Sequence, residues 1–429
     1  MVLSLSVQAQ SSTNSPYSQY GYGKLADQSN GAVKGMNGMG IAWREGNQVN
    51  FSNPASYSAL DSLTFLFDAS ASIHMTNFQE GNQRVNAKNG GFDYVMAAFR
   101  ICKHLGLSFG LMPYSSVGYK YYNEQKISMS EVSGSTSTTT TNTYYGTGGF
   151  RQVFLGLGYE PLKINGTSLS IGANISYIWG SYTRSIINSY SDQYINTLSK
   201  YYTGSVSDLK YDFGLQFQQR IGKNDYITVG GVYSLGHEMH STPECLILSV
   251  NSQTAVSDTT HFVANGRHAL PSSWGAGIVY SHAGKISVGF DFRTDMWGKV
   301  KYPVYSVVDE KPQYEFCDGM FKDSKKFTLG GQYCHNPMGR KWADRVRFRA
   351  GVSYTTPYLV INGQDGPKEI SASIGVGLPI ANGWNNRSML NVSAKWTNLN
   401  APGLIKENTF MLCVGLTFNE RWFAKWEVQ

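Results

Sequence analysis

The sequence predicts an all-β protein: a transmembrane, antiparallel, up-and-down β-barrel of about fourteen strands with an N-terminal plug, or hatch, in its lumen. Three observations lead there. Segments of about ten residues alternate apolar with small or polar side chains, which is the length and period of a membrane-spanning strand. Tight turns alternate along the chain with long polar connections. No window reaches the roughly 18 uncharged apolar residues that a membrane helix requires.

The alternation is clearest from Ser168 to Trp179. Leu169, Ile171, Ala173, Ile175, Tyr177 and Trp179 alternate with Ser168, Ser170, Gly172, Asn174, Ser176 and Ile178, so one face suits lipid and the other water. Near the C-terminus Phe410, Leu412, Val414, Leu416 and Phe418 oppose Thr409, Met411, Cys413, Gly415 and Thr417. Tyr211, Phe213, Leu215 and Phe217 oppose Lys210, Asp212, Gln216 and Gln218, and Ile286, Val288, Phe290 and Phe292 oppose Ser287, Gly289, Asp291 and Arg293. A soluble sandwich would bury those charges in its core, whereas a wet lumen accommodates them.

Composition agrees. One large barrel absorbs all 429 residues without a linker, and a mean hydropathy of -0.28 is no objection, because barrels carry their hydrophobicity in alternation. Aromatics reach 14%, with Tyr159, Tyr177, Trp179, Trp274, Tyr280 and Trp396 near strand ends, as interfacial girdles require. The net charge of +7, from 36 basic and 29 acidic residues, is spread along the chain apart from one arginine cluster and is no nucleic-acid footprint. None of the five cysteines is spaced Cys-x-x-Cys, so neither a disulfide framework nor a zinc site is indicated. Cys245 and Cys317 fall in long loops where a bridge is open to them, but nothing requires one. Met1–Ala9 reads as the end of a signal peptide with Val7-Gln8-Ala9 before the cleavage point, the initiator lying upstream.

In chain order, runs and breaks place strands near 62–78, 90–101, 104–118, 148–160, 167–182, 205–221, 225–240, 270–282, 284–298, 325–336, 344–356, 368–380, 387–397 and 408–419. Lys103-His104, 222–224 and Ala283 are tight turns; 119–147, 183–204, 241–269 and 299–324 are long loops. The low-complexity tract Ser133–Thr143 reads as a mobile surface loop. Short periplasmic turns, external loops and an even strand count put both termini in the periplasm of a Gram-negative outer membrane. Phe92–Ile101 alternates poorly, which suggests a bulge. The organisation is thus a signal remnant (1–9), a hatch (10–60), the barrel (61–419) and a periplasmic tail (420–429). The hatch is too polar to span lipid, and small lumen-facing residues such as Gly275, Gly277, Ser371, Ser373, Gly375 and Gly377 leave room for it.

Gly38-Met39-Gly40-Ile41-Ala42 followed by Asn53-Pro54-Ala55-Ser56 resembles the hatch of the FadL family of outer-membrane transporters. Leu270-Pro271-Ser272-Ser273-Trp274-Gly275, then Asp291 and Trp297, resembles that family's later part, and Leu404–Trp426 resembles its version in Bacteroidota. The resemblance implies a fourteen-stranded barrel with a hatch whose motif residues are Gly38, Gly40, Asn53, Pro54 and Ala55. It implies either import of fatty acids or aromatic hydrocarbons, or partner binding as in relatives that serve type IX secretion or outer-membrane barrel assembly.

Candidate sites are few. Gly35–Gly40 follows no strand and opens no helix, so a nucleotide loop is not indicated. His237 and His240 are read as lying on opposite faces of a strand end, with His261 and His268 elsewhere in the loop, so no metal site is assigned. No catalytic motif appears; neither an enzyme nor a cofactor is called. Arg345, Arg347 and Arg349 alternate with Val346, Phe348 and Ala350, which predicts a basic column on the lumen wall. It reads either as an anion clamp or as a ladder paired with Asp68, Asp212 or Asp291 or with hatch carbonyls. Pro113 interrupts the third strand, where it forfeits a ladder hydrogen bond. Pro113, Tyr114 and Ser115 fall where the FadL family opens its wall laterally; otherwise the strand simply ends at Met112.

The functional expectation is a passive channel for a small hydrophobic or amphipathic, fatty-acid-like ligand, with lateral exit near strand three. The alternative is a non-transporting barrel subunit of a secretion or barrel-assembly complex, with protein partners as well as membrane lipid and no nucleic acid. The polar lumen leans toward the second.

Overall fold

The computed structural model describes residues 13–128, 137–192, 194–251, 253–380 and 387–421. Its wall is a closed antiparallel barrel of 14 strands. They are β1 (Thr64–Glu80), β2 (Gln83–Cys102), β3 (Leu105–Pro113, resuming at Ser115–Ser128), β4 (Ser137–Ile164), β5 (Thr167–Tyr190), β6 (Thr197–Arg220) and β7 (Asp225–Ser234). The second half comprises β8 (Ser273–His282), β9 (Ile286–Asp295), β10 (Ser324–Cys334), β11 (Arg347–Thr355), β12 (Lys368–Ile380), β13 (Ser388–Asn400) and β14 (Lys406–Arg421). Each strand pairs with its sequence neighbour, and β14 returns to β1 in a ladder from Thr64↔Arg421 to Gln79↔Lys406. Closure leaves no edge along that seam, as a lipid-embedded sheet requires.

The two-residue period becomes two environments. On β5, Ile171 and Ile175 are about half exposed toward lipid while Ser170, Asn174 and Ser176 are fully buried toward the lumen. The weakly alternating part of β2 contains the expected bulge: Ser70 pairs with Tyr94 but Ala71 with Phe92. The extra residue, Asp93, turns inward with Tyr94, where its carboxylate accepts from Ser70 and Ser72.

Beyond the lipid-facing band, the expected loops are largely strand. Thr138–Gly148 pairs with Val117–Ile127, and β5 and β6 stay paired up to Asn188↔Leu198. Ser241–Val250 adds to the upper half of β6 and pairs with Ser257–Val263, and Tyr302–Val308 with Lys311–Cys317 makes a further hairpin. These segments are rich in Ser, Thr, Tyr and Val, which favour strands but carry no lipid-facing alternation outside the membrane, so only their polarity was legible. Of the Ser133–Thr143 tract, residues 133–136 lie outside the described residues, as do Met1–Ala9, 381–386 and 422–429. Cys245 and Cys317 are free thiols, the first buried and the second exposed.

Candidate functional site in the lumen

The N-terminal segment, residues 13–63, lies within the barrel and is almost entirely buried. Its polar, glycine-rich sequence makes sense there, because its backbone must find partners on a wet wall. Asn30 caps a one-turn helix, Gly31–Lys34, accepting from the Val33 amide at 2.8 Å. Met36 then crosses Gly330 and Gly351, where a Cβ would collide with its backbone. Gly38 adopts φ +91, and the chain turns so that the Gly40 and Ile41 amides donate to Asp291 at 2.7 and 2.9 Å. Asn53 caps the turn Pro54–Ala59, accepting from Ala55 N at 3.0 Å and donating to the carbonyls of Ile41 and Leu215. Pro54 and Ala55 rest on Gly172 and Gly214, which leave no space for a side chain. The five motif residues are thus joined in one knot.

Ion pairs brace this segment to the wall over its whole length. Asp27 meets Lys395 of β13 at 3.1 Å, Lys34 meets Asp93 of β2 at 2.7 Å, Arg44 meets Glu160 of β4 at 2.7 Å, and Asp61 meets Arg387 at 2.5 Å. Glu45 bonds Arg347 of β11 and accepts from Gln332. Burial pushes the Glu45 carboxyl up, but the Arg347 and Arg349 guanidiniums outweigh it and hold it below the usual glutamate value. Asp27 is pushed up by burial and pulled further down by Lys395, Lys326 and Lys34, ending well below the usual carboxylate range.

The basic column is shorter than expected. Arg345 belongs to the 3-10 turn Trp342–Arg345 that precedes β11, because the strand begins only at Arg347. Arg347 and Arg349 do face the lumen, but Asp68, Asp212 and Asp291 are not their partners. Arg349 donates to Gln332 and Asn391, each at 2.7 Å, and Arg347 takes Glu45. Asp68 instead accepts from Tyr94, and Asp212 from Lys210 and Ser234. Periodicity exposed the arginines; Glu45, on an aperiodic segment, gave no such signal. Lys34 and Arg44 were missed for the same reason; Glu160 sits in register on β4 but only as its last alternating residue, and the broken alternation of β2 did mark the neighbourhood of Asp93.

At Pro113 the wall changes. The β2–β3 ladder ends at Val95↔Leu111, while β3 stays paired with β4 through Pro113↔Arg151 and the Tyr114 amide donates to Phe150. Since alternate residues face alternate neighbours, the Pro113 nitrogen faces β2, on the side where pairing has ceased. Strand three resumes at Ser115 rather than ending at Met112, and its freed edge is taken by the N-terminal segment, with Lys24↔Ser116, Leu25↔Ser115 and Ala26 N donating to Tyr114 O at 3.0 Å. Pro113 and Tyr114 border a cavity of about 500 Å³ between segment and wall. Its lining mixes Trp297, Tyr358 and Leu270 with charged residues such as Lys24, Asp212 and Lys326.

Toward the long hairpins an aromatic cluster closes the lumen. Tyr22 is fully buried among Phe150, His268, Trp297, Tyr302 and Phe321, with ring centroids 5.5 to 6.2 Å away. Its hydroxyl donates to the Ala269 carbonyl, and Arg184 bonds Tyr302 and the Gly21 carbonyl. Burial, aided by the Arg184 cation, pushes the His268 imidazole down to about 3. His237 and His240 lie past the end of β7 and flank one carboxylate, Asp208, at 3.9 and 2.9 Å, rather than facing apart as the sequence suggested.

A closed fourteen-stranded antiparallel barrel is a fold that this chain shares with solved outer-membrane channels. Solved structures of similar fold include the CymD monoaromatic hydrocarbon channel (14% identity, TM-score 0.58, 95% of this chain and 99% of that one). Others are the toluene transporter TodX of P. putida (11%, 0.59, 94% and 99%) and a FadL homologue of Pseudomonas aeruginosa (11%, 0.56, 91% and 98%). At such identities the likeness is one of fold. No curated protein matches the sequence. Residues 1–428 match the BamG family model, and the chain belongs to the BamG family.

Proposed function

We propose that this chain is a non-transporting outer-membrane barrel, with residues 10–60 as a fixed plug, both termini in the periplasm, and a role as a subunit of a barrel-assembly or protein-secretion complex. The observation that carries the reading is the bracing of the plug. Five ion pairs spread along it, and the knot on Asp291, would have to break together for the lumen to open. Breaking the best-buried of these, Lys34–Asp93 and Arg44–Glu160, one-sidedly is costly, so a plug held this way suits a scaffold better than a pore. Membership of the BamG family and the charged lining of the cavity support the same reading. No enzymatic role is proposed. Purification from native membranes in mild detergent, followed by mass spectrometry of bound lipid and protein, tests it. A protein partner should co-purify in stoichiometric amount; recovery of hydrophobic ligand alone would overturn the reading.

A second reading, passive uptake of a fatty-acid-like or other apolar ligand with lateral exit near Pro113, Tyr114 and Ser115, is favoured by the ladder break beside the cavity. Pro113→Val restores a donor at that edge. It should slow uptake of apolar compounds if the exit operates, and leave uptake unchanged if it does not.

A further inference from the structure

Among the described residues a cation lies in or beside each connection at the tight-turn end of the wall: Lys103, Lys223 and Lys285 in tight turns, Lys163 at the end of β4, Lys341 in the longer connection before β11, and Arg387 just before β13. The acids at that end are largely engaged. Glu160 is met by Arg44, His104 and Lys163, Asp225 by His282 at 2.7 Å, and Asp61 by Arg387. Among the described residues Lys103, Lys223, Lys285, Arg340 and Lys341 have no carboxylate partner. Among the described residues Asp344 and Glu420 at this end make no ion pair, but the unpaired cations outnumber them, so the mouth carries a net positive field.

One turn differs from the others in build. Between β10 and β11 the chain projects through residues 335–346, held in shape by its own bonds: Asn336 N to Asp344 O at 2.8 Å, Gly339 N to Asn336 O at 3.0 Å, and the Trp342 indole to the Pro379 carbonyl at 2.7 Å. Met338 at its tip is 90% exposed and Trp342 50%, with Arg340 and Lys341 between them. Met, Trp and Arg are enriched where proteins bind one another, and a preformed turn loses little entropy on docking. Lipid phosphates would account for a ring of single lysines, but not for a projecting, internally bonded turn that offers an exposed Met and Trp.

We infer that the 335–346 turn and the basic rim around it form a docking surface for a protein that presents an acidic patch with an apolar centre. The inference rests on the partner-binding reading and names where and by what chemistry a partner is held. Rim cations steer the encounter, and Met338 and Trp342 seat it.

The test uses the full chain in phosphatidylcholine nanodiscs and fluorescent poly-L-glutamate as the probe. Wild type should bind the probe, more weakly at high salt, and Arg340→Glu with Lys341→Glu should weaken binding about tenfold, since like charge replaces opposite. Circular dichroism checks that the barrel stays folded. Undiminished binding by that variant overturns the inference. So does a variant that loses only its retention of phosphatidylglycerol in mixed nanodiscs, which would make the rim a lipid surface. In native membranes the same double variant and Trp342→Ala should each lose the co-purifying protein. If wild type co-purifies nothing, the scaffold reading falls while the probe result stands; if wild type and variants co-purify the same partner, this inference alone falls.

Discussion

The two ends of the lumen are closed by different chemistry. Toward the hairpins, Tyr22 sits in a nest of aromatic rings around a neutral histidine; toward the tight turns, Arg44, Glu45 and Asp61 are tied to Glu160, Arg347 and Arg387. One closure draws on removal of apolar surface from water, the other on paired charges whose value depends on geometry and screening. A single segment of chain thus answers to different conditions at its two ends.

The largest expected effect is at the aromatic end. Tyr22→Ala removes the ring on which five others pack and should cost about 3–5 kcal/mol of local stability. Hydrogen exchange should show amides near 235–272 losing protection while those near Glu45 keep it. Uniform loss would mean that the ends are not separate units. Next comes Glu45→Gln, which leaves Arg347 and Arg349 facing each other and should cost about 1–3 kcal/mol. Charge reversal at both members, Glu45→Arg with Arg347→Glu, should recover part of that in a denaturation series.

Acid should separate the ends further. His268 has a folded value near 3 against about 6.5 unfolded, so the unfolded chain takes up the proton first and stability falls as pH drops from 6.5 toward 3. The loss at pH 4.5 relative to pH 7 should be roughly 2–3 kcal/mol, confined to the aromatic end and absent in His268→Asn. Glu45 is depressed, so its contribution is kept at that pH and is lost only as pH falls through its lowered folded value. The smallest effect is that of salt: raising it should loosen the tight-turn end by under about 1 kcal/mol and leave the aromatic end unmoved, as read by the same exchange measurement.

The wall was legible because its strands obey one period for ten residues at a time, and lipid enforces it. Even the bulge at Asp93 left a trace, as a failed alternation. The braces were not legible. Arg347 and Arg349 stood out as periodic charges, but their partner Glu45 lies on a segment shaped by glycines, caps and turns, whose contacts are all with residues far off in sequence. Arg345 was misplaced for a related reason: alternation continued into a turn, and nothing in the residue types marks where β11 starts. The upper halves of β3 to β6 were read as loops because, once both faces meet water, β-forming residues show no in–out pattern.

The bonds between the first described residues and the last strand carry one more implication. Ser15 donates to Glu407, and Tyr17 to the Ile405 carbonyl, across nearly the whole length of the chain. Ser15 and Tyr17 therefore cannot reach these partners until β14 is in place, and the β1–β14 seam must shut around them. Contacts this distant in sequence make for slow, late maturation. A chain truncated before β14 should keep its N-terminal segment open to protease after reconstitution, and in the full chain protection should arrive in a single late step.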